Sequence, residues 1–205
     1  MLVITVASQK GGAGKTTLVR SLACAWPGRV AVADLDPQQS LAEWHALRDG
    51  EPVLISGVTH NTVPTAVQRL ADQSPSFDLL IIDTPPSAHS WLQDLFSLSD
   101  YVLLPVRPSP DDLRAIGSTL AMVEDAGTDF CFVVSQAKPR TRMVPEAIKV
   151  LAQHGKVAPS VLHDRTLFQV AALNGSAVTD TKGKAADEVL ALVKYLQVQT
   201  SKVKR

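Results

Sequence analysis

Short apolar, β-branched runs alternate along the chain with longer segments whose apolar positions recur every three or four residues. The runs at 2–7, 29–34, 78–83, 100–105 and 130–135 predict strands, and those at 52–56 and 157–162 predict two weaker ones. Helix-period segments between them cover 15–26, 38–48, 62–72, 88–98, 110–125, 143–154, 165–173 and 185–198. Strand, helix and strand in succession predict a sheet built from βαβ units. "LLII" and "FCFVV" are apolar at every position, as strands covered on both faces must be, so a mostly parallel sheet with helices on both sides is expected. Ser109 followed by Pro110 reads as a capping serine before a first-turn proline. No repeat or low-complexity linker interrupts the pattern; one domain over 1–198 and a basic tail over 199–205 are expected.

Composition narrows the class. The 205 residues are 45% hydrophobic and 20% charged, and the longest apolar runs are strand-sized. None approaches the ~20 residues that span a bilayer. The chain enters a strand at once with "LVITVA", without a basic segment and cleavage site, and reads as an unprocessed cytoplasmic protein. Cys24 and Cys131 lie alone in apolar contexts and read as reduced core thiols, not as a disulfide framework or cluster ligands. The five histidines are dispersed without metal-ligand spacing, and Trp26, Trp44 and Trp91 fall on predicted helices as packing residues. The zero net charge hides an asymmetry: residues 1–135 carry 8 Lys/Arg against 15 Asp/Glu, residues 136–205 carry 12 against 5. The basic C-terminal third suggests a face for a polyanion.

The first loop turns the reading from fold to chemistry. "VASQKGGAGKTT", Val6 to Thr17, leaves a strand at Ala7, passes a glycine-rich turn and opens an amphipathic helix near Lys15. Backbone N–H groups bared by glycine, together with a helix N-terminus, cradle phosphate. In such a loop Lys15 reaches the β- and γ-phosphates, Thr16 places its hydroxyl on Mg²⁺ and Thr17 lies near the α-phosphate. The strict pattern G-x-x-x-x-G-K-[ST] is not met, because Gln9 stands at its first glycine, and a second lysine, Lys10, precedes the turn. A magnesium-bound triphosphate also needs carboxylates. "LLIIDTPPS" puts Asp83 at a strand end, from which a metal is held through water, and "VAVADLDPQQS" puts Asp34 and Asp36 at another. A carboxylate at 34 or 36 either orients an attacking water or caps the helix that begins near Gln38.

"KGGAGKTT", "DLDPQQS" and "DTPPS", in this order, resemble the deviant Walker-A ATPases of the ParA/MinD group, and specifically the short ParA proteins that partition plasmids or other cargo. "YVLLPVRPSPDDLRA" and "RTLFQVAALNGSAVTD" extend the likeness over essentially the whole chain. The resemblance implies a single-domain α/β P-loop NTPase with a twisted, mostly parallel sheet, ATP and Mg²⁺ as cofactors, and slow, partner-stimulated hydrolysis. Lys10 matches the family's signature lysine, which crosses a nucleotide-sandwich homodimer to the other subunit's phosphates; Lys10, Lys15 and Asp36 form the implied catalytic set. Gly11, Gly12, Ala13, Gly14, Lys15, Thr16 and Thr17 match the nucleotide loop. Thr16 matches the metal-binding hydroxyl, with Asp83 and Asp36 acting through water. The family often has Asn where this chain has Ser135, so base contacts are expected from backbone groups near Ser135 and Pro108. A second cation that arrives only on dimerisation would neutralise γ-phosphate charge much as an arginine finger does.

The resemblance further implies non-specific double-stranded DNA and a ParB-like or other cargo adaptor as partners, and a nucleoid-associated cytoplasmic location. Arg165, Lys182, Lys184, Lys202 and Lys204 are the first candidates for DNA contact, among a wider set with Lys138, Arg140, Arg142, Lys149, Lys156 and Arg205. No winged-helix or helix-turn-helix extension is expected before the first strand. The alternative is a MinD-like membrane-associated positioning ATPase, with "DEVLALVKYLQV" as a targeting helix. Its apolar positions run too far round and its basic residues are few, so a docking helix without stable membrane association is expected. An amide- or lactam-forming enzyme on the same scaffold would need a deep second-substrate pocket, and a nitrogenase-reductase-like role fails for want of paired cluster cysteines.

Overall fold

The computed structural model describes residues 1–87 and 90–202. Six strands form one parallel sheet: β1 (Leu2–Val6), β2 (Val30–Asp34), β3 (Val53–Leu54), β4 (Leu79–Asp83), β5 (Tyr101–Val106) and β6 (Phe130–Val134), in the spatial order β3-β2-β4-β1-β5-β6. The period-2 alternation of side chains divides each apolar strand between two cores. Ile4, Val32, Leu79, Ile81, Leu103 and Val133 enter one core; Val3, Ala33, Leu80, Ile82, Leu104 and Val134 enter the other. The continuous apolar runs are thus explained by two helical layers.

The first layer contains α1 (Lys15–Ala25), α2 (Ser40–Ala46), α8 (Thr166–Leu173) and α9 (Lys184–Thr200); the second contains α3 (Val63–Ala71), α4 (Trp91–Leu98), α5 (Pro110–Ala115), α6 (Gly117–Asp125) and α7 (Met143–Leu151). Ser109 caps α5 as expected, accepting from the Asp112 N–H with Pro110 in the first turn. Trp44 is buried in the first core, and its indole N–H donates to the Ser176 carbonyl at 2.9 Å. Burial pushes the Cys24 and Cys131 thiols up to about 12, consistent with thiols that serve packing.

Beyond shifts of one to three residues at other element ends, three departures from the periodicity stand out. The segment 157–162 is not a strand: it meets β6 in one isolated bridge, Phe132 with Val157, and in single hydrogen bonds from the Ala158 and Leu162 N–H groups to the Phe132 and Val134 carbonyls. Pro159, without an N–H, interrupts the ladder between them. The helix expected over 110–125 is two, broken at Ile116 just before Gly117, a poor helix former. Finally, α9 continues through Thr200, so Gln199 and Thr200 belong to the helix rather than to a tail.

Candidate functional site: a phosphate loop at the carboxyl edge of the sheet

Parallel strands place all their C-terminal ends on one edge, and the sequence puts its chemistry there. Residues 7–14 leave β1 at this edge and return as α1, whose first residue is Lys15. Gly14 must be glycine on two grounds: its φ is 92°, and a Cβ would lie 3.2 Å from Gln136 Nε2. Two residues just beyond β6 hold the loop from the side. Ser135 Oγ donates to the Ala13 carbonyl and Gln136 Nε2 to the Gly12 carbonyl, each at 2.7 Å. Gln9, the departure from the strict motif, donates through Nε2 to Ser118 Oγ on α6. The Gly12 and Ala13 carbonyls are thereby held by side chains, as a loop that offers its N–H groups to an anion requires.

Register brings the carboxylates to the loop. Asp83 is paired with Val6 on one side and with Asp34 on the other. Lys15 is only 6% exposed, and burial lowers its pKa while Asp83 and Asp36 pull it back up. Asp83 is 1% exposed, and neither of its carboxylate oxygens makes a well-formed hydrogen bond among the described residues, the Thr16 hydroxyl standing near enough only to weigh on its ionisation. Its carboxyl is pushed up to about 7, chiefly by burial, with the Thr16 hydroxyl and Lys15 opposing and Asp34 and Asp36 adding to the rise. An unpartnered buried carboxylate beside a Thr hydroxyl and a phosphate loop fits a hydrated hard cation.

Asp34 and Asp36 divide the two alternatives left open by sequence. Asp34 is a capping residue: one oxygen accepts from the Asp36 N–H at 3.0 Å, the other from the Leu41 and Ala42 N–H groups at 3.0 and 3.1 Å. Asp36 accepts only from the Gln38 N–H, at 3.0 Å, and its field reaches both Lys15 and Asp83. Its charge is therefore near the cradle, on a turn held by Asp34.

Two larger concavities flank the loop. One, of about 140 Å³, is lined by Gly14, Thr17, Leu18, Ser135, Phe168 and Arg165 among others. The second, a groove of about 510 Å³, is lined by Lys10, Arg107, Pro108, Gln136 and Lys138 with Asp111 and Asp112. Ser135 and Pro108, expected together at the base, thus lie against different concavities, and the Ser135 hydroxyl is spent on the loop. Lys10 has no ion pair among the described residues, whereas Lys15 is enclosed.

The basic residues do not form one cluster. Arg165 lines the smaller concavity and is paired with Glu188 of α9 at 2.5 Å, with His163 Nδ1 on the same oxygen at 2.9 Å. Lys182 and Lys184 are exposed at the start of α9 and Lys202 is exposed beyond its end. At 1.5 Å per residue they are about 27 Å apart along the axis. Lys204 and Arg205 lie outside the described residues. Gln136, Phe168 and Glu188 were not singled out by the sequence; pairing of the 134–137 and 162–164 segments and the hydrogen bonds of His163 and Arg165 to Glu188 bring them together.

A glycine loop after the first strand, a buried lysine at its helix start and an unpartnered aspartate on the adjacent strand define a phosphate-loop nucleotide-binding protein. Residues 4–178 match the CobQ/CobB/MinD/ParA nucleotide binding domain, and the chain belongs to this family. It is 30% identical to maintenance of carboxysome distribution protein A of Halothiobacillus neapolitanus over 198 residues, covering 91% of this chain and 92% of that one. The protein of the same name from Gloeobacter kilaueensis is 32% identical over 192 residues, covering 91% and 88%. Among solved structures, the cell division ATPase MinD of Pyrococcus furiosus superposes with a TM-score of 0.81 at 19% identity, covering 97% of this chain and 99% of that one. An ATP complex of McdA from Cyanothece gives 0.76 at 17% identity, covering 100% and 98%. These two likenesses concern the fold.

Proposed function

We propose that the chain is a ParA-type ATPase that positions a cargo: ATP with Mg²⁺ drives formation of a sandwich homodimer that binds DNA without sequence preference, and an adaptor on the cargo stimulates hydrolysis and release. Full-length similarity to two proteins named for carboxysome distribution supports this class. The observation that carries the reading is the contrast between two lysines five residues apart in sequence. Lys15 is enclosed by the cradle, while Lys10 stands outside it against an open groove.

In this reading Gly11 to Gly14 and Lys15 hold the phosphates, Thr17 lies near the α-phosphate, and the base enters the concavity beside Ser135. Thr16, with Asp83 and Asp36 through water, would hold Mg²⁺, which supplies charge neutralisation for the terminal phosphates. Asp36 orients the attacking water, and Lys10 of each subunit reaches the phosphates of the other. Lys182, Lys184 and Lys202, with the exposed loop residues Lys138, Arg140 and Arg142, remain available for DNA phosphates. A nucleoid-associated cytoplasmic location follows.

A MinD-like membrane role is not favoured. Helix α9 buries Ala185, Ala186, Val189, Leu192, Val193 and Leu196 against the sheet, so its apolar face is already covered. No helix among the described residues is long and apolar enough to cross a membrane.

The test is Lys10→Ala. The variant should bind ATP as a monomer while losing ATP-dependent dimerisation in size-exclusion chromatography with light scattering, together with partner-stimulated turnover. A variant that still dimerises with ATP would contradict the proposal.

A further inference from the structure

Arg107 takes no part in the cradle, yet it is firmly held beside the loop. It follows β5 directly, and β5 lies beside β1, so its backbone emerges at the same edge as the phosphate loop. Its Nε donates to Asp112 Oδ1 at 2.9 Å. The Asp112 side chain is buried, and its second oxygen accepts from Ser109 Oγ at 2.5 Å. The same Ser109 hydroxyl accepts from the Asp112 N–H at 3.2 Å. A carboxylate fixed at both oxygens and at its own backbone gives the guanidinium one orientation. That orientation brings Nη1 against the loop, 3.7 Å from where a Cβ on Gly12 would stand. The remaining guanidinium N–H groups have no acceptor among the described residues, and Arg107 shares its groove with Lys10 and Lys138.

Asp112 offsets the charge of Arg107, but the groove's other cations, Lys10 and Lys138, have no ion pair among the described residues. Asp112 is engaged with Arg107 and Ser109, and Asp111 pairs with Arg114 at 3.2 Å. A planar donor fork with free N–H groups, fixed beside a lysine on the rim of a phosphate loop, suits a phosphoryl group through two charge-assisted hydrogen bonds.

We propose that Arg107 is a second phosphate-directed cation that works with Lys10, and that Asp112 and Ser109 are its positioning residues. The ligand is the terminal phosphate of a nucleoside triphosphate, bound either in this chain's own loop or in that of a second copy. The inference rests on the nucleotide-binding reading above.

The test uses the full chain. Wild type and Arg107→Ala are titrated with fluorescent ADP and with a non-hydrolysable ATP analogue, and ATP turnover and oligomeric state are measured. Arg107→Ala should keep ADP affinity within about twofold and lose about tenfold or more in affinity for the triphosphate analogue, or in ATP-dependent dimerisation, the scale of a charge-assisted hydrogen bond. Asp112→Asn should give a smaller loss of the same kind, and Arg107→Lys, which restores charge without the fork, a partial recovery. If the alanine variant fails to fold, Arg107→Gln takes its place and must show the same selective loss. Mixing Arg107→Ala with Lys15→Ala separates the two sources: recovery of turnover places Arg107 on the second copy's nucleotide, and no recovery places it on its own. Wild-type affinity, dimerisation and turnover in Arg107→Ala would overturn the inference, whereas wild type that binds no nucleotide would overturn the reading beneath it.

Discussion

Asp34 and Asp83 are direct partners across adjacent parallel strands, yet their carboxylates are used in opposite ways. Asp34 accepts from three backbone N–H groups, while Asp83, buried between β2 and β1, accepts none among the described residues. One carboxylate builds the turn; the other is left for a ligand.

The unpartnered state of Asp83 has a signature in the free protein. Its carboxyl is raised from 3.8 to about 7, so the folded chain keeps a proton that the unfolded chain has released. Folding is therefore favoured at the acid end of that window, and stability contributed by this group is lost as pH rises from about 4 to about 7. Asp83→Asn should flatten this part of the pH profile and raise the melting temperature of the ligand-free protein at pH 8, while abolishing ATP turnover. Thermal scans from pH 4 to 8 check this, and a variant less stable than wild type at pH 8 would contradict it.

Asp34 and Asp36 should separate stability from catalysis. Asp34→Ala strips a cap from the first turn of α2 and should cost about 1–3 kcal/mol in urea unfolding. Asp36→Ala removes a single turn hydrogen bond and should unfold like wild type, but lose about 10²-fold or more in turnover, as expected for loss of a water-orienting base. Equal losses of stability in the two variants would refute the division.

The side support of the loop should be measurable as affinity. Ser135→Ala leaves the Ala13 carbonyl without its buried donor, and Gln136→Ala frees the Gly12 carbonyl. The double variant should bind fluorescent ADP about tenfold more weakly, the effect of about 1.4 kcal/mol. Amide exchange at Gly12–Gly14 should quicken in parallel.

Non-specific DNA binding should report which end of α9 is used. Removing two phosphate contacts with Lys182→Ala and Lys184→Ala should lower the slope of log affinity against log salt by about 2. Lys202→Ala, at the far end of the helix, should leave that slope unchanged if the DNA lies at the nucleotide edge. Fluorescence anisotropy at 50–200 mM salt, with ATP present, checks both.

The strand pattern was legible because strands covered on both faces must be apolar throughout, and that constraint is local. The phosphate loop was legible for a similar reason: Gly14, Lys15 and Thr16 are contiguous, and their chemistry requires that spacing. The failures are long-range. Nothing near Arg165 in sequence announces Glu188 on a later helix, or that the pair holds Arg165 at the loop's flank. The sequence pointed to backbone groups near Ser135 for the base and gave no sign that strand order would bring the Ser135 hydroxyl to the Ala13 carbonyl. At 157–162 the apolar pattern predicts a strand, and with Pro159 in its middle the segment keeps one bridge to β6, at Val157.

The grip of Ser135 and Gln136 on the loop has a consequence for signalling. A cradle already frozen in shape before a nucleotide arrives changes little when it fills, and so conveys poorly whether it is full. The news of occupancy must travel by groups that the fold leaves uncommitted, and at this edge Lys10, Asp36 and the outer face of Arg107 are among those with a charge still to place.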